Sequence, residues 1–350
     1  MKMRKTSLVL FLLFLSLFGM AQKGRHRKDS TNIYQKVDTN YITSFKDLLN
    51  VKLFAVIRSN KFTLADHDSL SSIEYTINTK LNMGISFTFK GIGFDIEYSP
   101  PGINNDDARY GKSHQFAVAT SANARRFIYD IYYREYKGFR TSAMYKVPGD
   151  TIFDYSRRGD IRNYNAGCIL TYVFNHKRFS SAAPYSLSQK QRKSAGSLLL
   201  GTYAFLYGLT ADSIIYPDSV YAKFRKEMQF NAAASYTFGI SCGYTYTLVF
   251  GKKKNWFVNI ATLPGISYQE FYSVNAFDKS TYNHNSVALS LQSRFSMGYN
   301  RKSYFIGIYW MGNNFVLGDD SHASINYKYG TFKFYYGHRF DIRKMLKKKL

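Results

Sequence analysis

Residues 229–250 alternate without interruption between two kinds of side chain. Even positions carry Phe230, Tyr236, Phe238, Ile240, Cys242, Tyr244, Tyr246, Leu248 and Phe250, whereas odd positions carry Asn231, Ser235, Thr237, Gly239, Ser241, Gly243, Thr245 and Thr247. Successive side chains of a strand point to opposite faces, so this period of two sets an aromatic and aliphatic face against a small, hydroxylic one. Strands of soluble domains run about five or six residues. An alternation this long fits a tilted strand of a barrel that projects beyond a bilayer.

The same pattern recurs along the chain. Met83, Ile85, Phe87 and Phe89 alternate with Gly84, Ser86 and Thr88, and Ile92, Phe94, Ile96 and Tyr98 with Gly93, Asp95 and Glu97. Phe127, Tyr129, Ile131 and Tyr133 oppose Asp130, Tyr132 and Arg134, while Tyr304, Ile306, Ile308 and Trp310 oppose Gly307 and Tyr309. Charge on the second face marks that face as a wet interior. The periodicity predicts strands near 49–60, 79–90, 91–100, 112–123, 126–138, 159–174, 194–209, 227–250, 256–272, 283–298, 303–315 and 322–340.

Breaks between them alternate in length. Lys90-Gly91, Ala124-Arg125, 251–255 and 298–302 are short and basic, whereas 61–78, 101–111, 139–158, 210–226 and 273–282 are longer and gather acidic residues such as Asp66, Asp106, Asp150 and Asp212. Short periplasmic turns and long external loops produce that rhythm. The expected fold is therefore all-β, a transmembrane antiparallel up-and-down β-barrel of about twelve strands over residues 49–340. Break 175–193 departs from the rhythm, being long on the short-turn side. In the last strand the apolar parity changes between Tyr329 and Phe332, which predicts a bulge at Gly330.

Composition agrees with a membrane wall. Aromatic residues reach 18%, with 31 Tyr and 29 Phe, yet mean hydropathy is −0.31. Rings mixed with polar residues suit two membrane–water interfaces better than a soluble core. Residues 1–21 read as a cleaved secretory leader: Lys2, Arg4 and Lys5 precede the apolar run Leu8–Leu17, and Gly19-Met20-Ala21 supplies small residues for cleavage. Residues 22–48 read as a flexible periplasmic lead-in and 341–350 as a basic tail. The net charge of +25 comes with no nucleic-acid motif; for an exported barrel it points to anionic lipid, lipopolysaccharide included. The alternating aromatics Phe332, Phe334, Tyr336 and Phe340 look like a C-terminal signal for the barrel-assembly machinery.

Tyr172–Ser180 with Gln189–Gly201, together with Met83–Phe87, Tyr132–Phe139 and Gly243–Tyr246, resemble a Bacteroidota outer-membrane barrel family known only as a domain of unknown function. That resemblance implies fold and outer-membrane location, and no reaction.

Three constellations are candidates for chemistry. Lys177, Arg178, Lys190, Arg192 and Lys193, interleaved with Phe179 and Tyr185, suit a plug or a docking surface for a periplasmic partner; the plain alternative is a solvated charged turn. Parity places Asp95, Glu97, Asp130, Arg134 and Arg294 in the lumen, as an ion path or, more in keeping with a narrow barrel, a packed network of charge pairs. His284 and Ser286 invite comparison with outer-membrane lipid hydrolases, but parity turns both inward with Gln292 and Arg294, and Val287-Ala288 follows in place of the Asn-Gly such a site uses. His114, His322 and His338 lack metal-ligand spacing. The sequence thus points to a non-enzymatic channel, uptake or scaffold barrel without cofactor. A lipid hydrolase, or an accessory barrel of a secretion or gliding machine, is the alternative.

Overall fold

The computed structural model describes residues 38–341, except 68–70, 90–91, 99, 101–102, 104–105, 143–144, 148–149, 153–155, 218–227 and 319–322. The leader, the lead-in up to residue 37, His322 and the tail beyond residue 341 lie outside the described residues.

The strands are β1 (Ile42–Ser44), β2 (Leu49–Asp66), β3 (Ser71–Thr76), β4 (Leu81–Phe89), β5 (Ile92–Tyr98), β6 (His114–Asn123), β7 (Phe127–Thr141), β8 (Tyr145–Val147) and β9 (Asp150–Ile152). They continue with β10 (Arg157–Val173), β11 (Gln189–Gln191), β12 (Ala195–Thr210), β13 (Phe230–Phe250), β14 (Trp256–Asn275), β15 (Thr281–Asn300), β16 (Tyr304–Leu317) and β17 (Ala323–Phe340). A single helical turn, α1 (Asp107–Tyr110), precedes β6.

Ten strands close a ring: β2–β17–β16–β15–β14–β13–β12–β10–β7–β3 and back to β2, every neighbour antiparallel. Closure between last and first long strands runs their whole length, from Ala323 opposite Asp66 to Phe340 opposite Leu49. Closure satisfies all backbone groups along that seam, which is what a wall in hydrocarbon requires. The expected count of about twelve is revised. Residues 61–66 and 71–76, assigned to a loop, extend β2 and form β3, and it is β3 that completes the ring. β4 pairs with Asn50–Ile57 of β2, β5 with β4, and β6 with β7, outside the ten-stranded circuit.

The end bearing 124–126, 251–255 and 301–303 is the turn end; the opposite one is the loop end. Between them the exterior is an apolar band that includes Phe238, Ile240, Ile260, Val287 and Leu289. Trp256 stacks with Phe250 and meets Tyr299 edge-on at the turn end, and Tyr236 meets Tyr272 nearer the loop end.

At the loop end the interior is also apolar. Phe62, Tyr75, Phe205, Tyr207, Phe315, Tyr327 and Tyr329 point inward and are buried together. Phe205 and Phe315 lie 4.4 Å apart, Tyr207 and Tyr327 4.8 Å, and Phe62 and Tyr75 4.8 Å. Such ring pairs add about 0.5–1.5 kcal/mol each beyond burial. Residues 211–217 fold over them, with Ile214, Ile215 and Tyr216 buried. The Tyr75 hydroxyl donates to Ile215 O at 2.6 Å, and the Arg158 guanidinium to Ile214 O and Ile215 O at 2.8 Å.

This core corrects the reading of β17. No register shift occurs at Gly330, which sits opposite Gly312 and Ser59 in unbroken ladders. Odd residues face inward throughout, Tyr327 and Tyr329 into the aromatic core and Tyr335 further down, while Phe332, Phe334 and Tyr336 face out. Apolar side chains change face because the lumen is filled, so no bulge is needed.

Cys168 and Cys242 are both exposed free thiols on the exterior. Cys168 is opposite Ala204 and Cys242 opposite Leu200, so β12 separates them. Two strand spacings come to roughly 10 Å, beyond the ~7 Å limit for bridged Cα atoms. The purified monomer is expected to keep the same mass on reduction; a gain of two hydrogens would contradict the register.

Candidate functional site

The connection from β10 to β12 does not hang from the turn end but enters the lumen. Phe179 is buried among Ile128, Val173, Leu199 and Leu263, and Leu187 among Phe54, Val56, Phe257, Phe305 and Tyr335. β11 in this segment pairs with β1, Ile42 opposite Gln191 and Ser44 opposite Gln189. Residues 38–48, expected to belong to a flexible lead-in, are thereby built into the closure of this end.

Polar anchors fix the segment to the inner wall. Tyr185 Oη donates to Asn259 Oδ1 at 2.9 Å, Ser296 Oγ to Pro184 O at 3.0 Å, and Asn300 Nδ2 to Gln189 O at 3.1 Å. Arg339 donates to Leu187 O and to Asn300 Oδ1, and Lys190 to Asn255 Oδ1. Burial holds the Lys190 ammonium below the ordinary lysine pKa, with Arg192 and Arg339 adding repulsion. The opposite face is cationic: Lys177, Arg178, Arg192 and Lys193 are exposed, with Arg178 and Lys193 each 5.4 Å from the Tyr41 ring. The segment is thus amphipathic, apolar toward the lumen and basic toward the space outside it.

Midway up the lumen lies a belt of charge. Arg294 Nη2 and Asp130 Oδ2 are 2.5 Å apart, and Lys333 Nζ and Asp95 Oδ2 2.6 Å. Glu97 takes both terminal nitrogens of Arg58. Arg134 has no carboxylate partner among the described residues; its guanidinium is held between the Tyr132 and Tyr329 rings at 4.2 and 4.1 Å. All five charges assigned to the lumen are inside, and they form packed pairs and stacks. Parity missed Arg58 and Lys333 because each shares a face with apolar residues, Phe54 and Val56 on β2 and Tyr335 on β17.

His284 and Ser286 point inward as expected. The His284 ring lies 5.4 Å from Phe271 and 5.5 Å from Tyr282, and neither His284 nor Ser286 has a hydrogen-bond partner among the described residues. No hydrogen bond joins the imidazole to this hydroxyl among the described residues. No group of three His, Cys, Asp or Glu that could hold a metal occurs among the described residues. Phe332, Phe334 and Tyr336 are exposed on one outer face of β17 and Phe340 is partly covered beside His338.

A family model described as Domain of unknown function (DUF4421) matches residues 36–340, the whole barrel and its inner segment. The chain belongs to that family. No curated protein matches it in sequence. Among solved structures it is similar to the outer membrane protease OmpT from Escherichia coli at 9% identity and a TM-score of 0.40, covering 85% of this chain and 98% of that one. It is also similar to the Pseudomonas putida toluene transporter TodX at 7% identity and a TM-score of 0.24, covering 84% and 90%.

Proposed function

We propose that this family member is an outer-membrane barrel, exported by its leader, that acts as an occluded scaffold with no open pore and no catalytic site. The observation carrying this reading is that the lumen is filled from both ends, by the aromatic core and residues 211–217 at the loop end and by residues 174–194 at the turn end; the reading takes the loop end as external and the turn end as periplasmic. Lys177, Arg178, Arg192 and Lys193 then present a basic face to the periplasm, suited to an acidic protein partner. The unbonded His284 and Ser286 favour this over lipid hydrolysis.

Reconstituted in planar bilayers, the wild type is expected to give no discrete conductance steps. Stable steps of uniform size would overturn the occluded reading and favour a channel. Insertion itself has a separate test. Phe238→Arg puts a cation in the exterior band and is expected to cost about 2–4 kcal/mol of barrel stability. Thr237→Arg, its inward neighbour, is no tolerant control, because Thr237 is buried with its hydroxyl 3.2 Å from Ser235 Oγ. Ala119→Arg, inward but exposed, is the tolerated substitution. The folded wild type is expected to enter liposomes and resist protease there; a stable, detergent-free soluble monomer would defeat the membrane assignment.

A further inference from the structure

The wall is complete at the loop end, where β3 joins β2 to β7. Toward the turn end the interval between β2 and β7 is taken by short strands, β4 and β5 attached to β2, and β6 attached to β7. β5 and β6 come within 8 Å of each other, yet they exchange no backbone ladder among the described residues. A slot is left between two strand edges.

This slot has a built upper border. Asn78 Nδ2 donates to Asp106 Oδ1 at 3.0 Å, to Asp107 Oδ1 at 3.1 Å and to Gly111 O at 3.1 Å. Lys80 Nζ is 3.0 Å from Asp107 Oδ1. Ser113 Oγ accepts from Asn78 N and donates to Gly138 O, both at 2.8 Å. Gly138, at φ +86°, lets the chain before β6 cross closely; a Cβ there would stand 2.2 Å from Lys112 O.

The two strands are exposed on both faces. Phe94, Ile96, Phe116 and Val118 face outward and are more than half exposed. Ala117, Ala119 and Ser121 face inward and are also exposed, whereas inward residues elsewhere, such as Ser241, Thr245 and Ser296, are buried. Among the described residues the inner face of β6 is left uncovered. At membrane depth an unpaired strand edge must face water or a bound group.

Just inside the β5 edge stands a cluster with excess positive charge. Lys52 is opposite Ser86, and Ser86 opposite Asp95, so the three share one level. Asp95 is taken by Lys333. Lys52 has no ion pair among the described residues; its ammonium lies 5.9 Å from the Tyr335 ring and 6.0 Å from the Phe54 ring. Two ammonium groups against one carboxylate leave a spare cation on the level of Asp95 of β5.

We propose that the β5/β6 slot is a lateral binding site for a single-chain amphiphile with an anionic head, which enters from the bilayer and sets its head on Lys52. The assignment rests on the membrane reading above. It adds a ligand site that needs no through-pore.

The test uses the folded full-length protein in nonionic detergent and a dansyl-labelled undecanoate as probe. Wild type is expected to bind it saturably. Lys52→Met should weaken binding by about tenfold or more, the loss expected for one charge-assisted contact. Ala119→Trp, which fills the inner side of β6 and leaves Lys52 in place, should weaken it comparably. Dodecanoate and dodecyl phosphate are the competing arms: the stronger competitor separates a fatty-acid source from a phosphate-headed one, and dodecyltrimethylammonium should not compete. Each variant is first shown to enter liposomes and resist protease like wild type. Unchanged binding in both variants, equal competition by the cation, or cross-linking that joins β5 of one copy to β6 of another would overturn the site. A wild type that inserts but binds no probe overturns the slot and leaves the membrane reading standing; a wild type that fails to insert removes the membrane reading itself.

Discussion

Arg294→Ala is expected to destabilise the folded barrel by about 3–5 kcal/mol, because it strands Asp130 as an unpaired charge inside the lumen. The two residues are 164 apart in sequence and meet across the barrel at 2.5 Å, with side chains 10% and 17% exposed. The Arg294 guanidinium also lies 5.4 Å from the Tyr185 ring, so its loss removes a contact between wall and inner segment. Urea-induced unfolding in liposomes checks the magnitude. Replacing both partners, as Arg294→Met with Asp130→Leu, should recover most of the loss, since no buried charge then lacks a partner. A single variant as stable as wild type would mean that water reaches this belt freely.

Phe315→Ala is expected to cost a similar amount, about 3–5 kcal/mol, from lost burial and the cavity left behind. Phe315 is 2% exposed and its ring contacts Phe205 at 4.4 Å, Tyr203 at 5.9 Å and Tyr329 at 6.1 Å. The same unfolding measurement reads it. The comparison with Phe332→Ala is informative, since Phe332 lies on the exterior of the next strand at 42% exposure. That outward substitution should cost much less. Equal effects would argue that the loop-end lumen is not the packed core described above.

Both expectations depend on what fills the barrel, which the chain's own pattern shows only in part. Side-chain direction in a strand follows from the backbone alone, so a period of two was readable wherever it persisted. Phe238 outward, Asp130 and Arg294 inward, the short basic turns, and the spacing of Cys168 from Cys242 all follow from parity and strand order. The long basic break at 175–193 was visible as an anomaly because it interrupts a regular rhythm.

Parity says which residues share a face and nothing about what that face meets. Tyr327 and Tyr329 read like membrane-facing rings until β17 is paired with β16 and β2; their partners inside the barrel are Phe315 on the neighbouring β16 and, from distant strands, Tyr207 and Tyr132. The apparent bulge at Gly330 was the cost of that ambiguity. Phe179 and Leu187 carry no strand periodicity, so their burial in the lumen is decided by the wall around them.

What the sequence alone determined, then, was the strand-by-strand wall: local alternation fixes which side chains point to each face, because that direction depends only on neighbours along the chain. The tertiary structure decided three further things: that β3 closes a ring of ten, that both ends of the lumen are filled, and that β5 and β6 share no ladder among the described residues. Each of these depends on curvature and on contacts between residues far apart in sequence, where the cost of bringing chain segments together is set by the whole ring and leaves no local periodic mark.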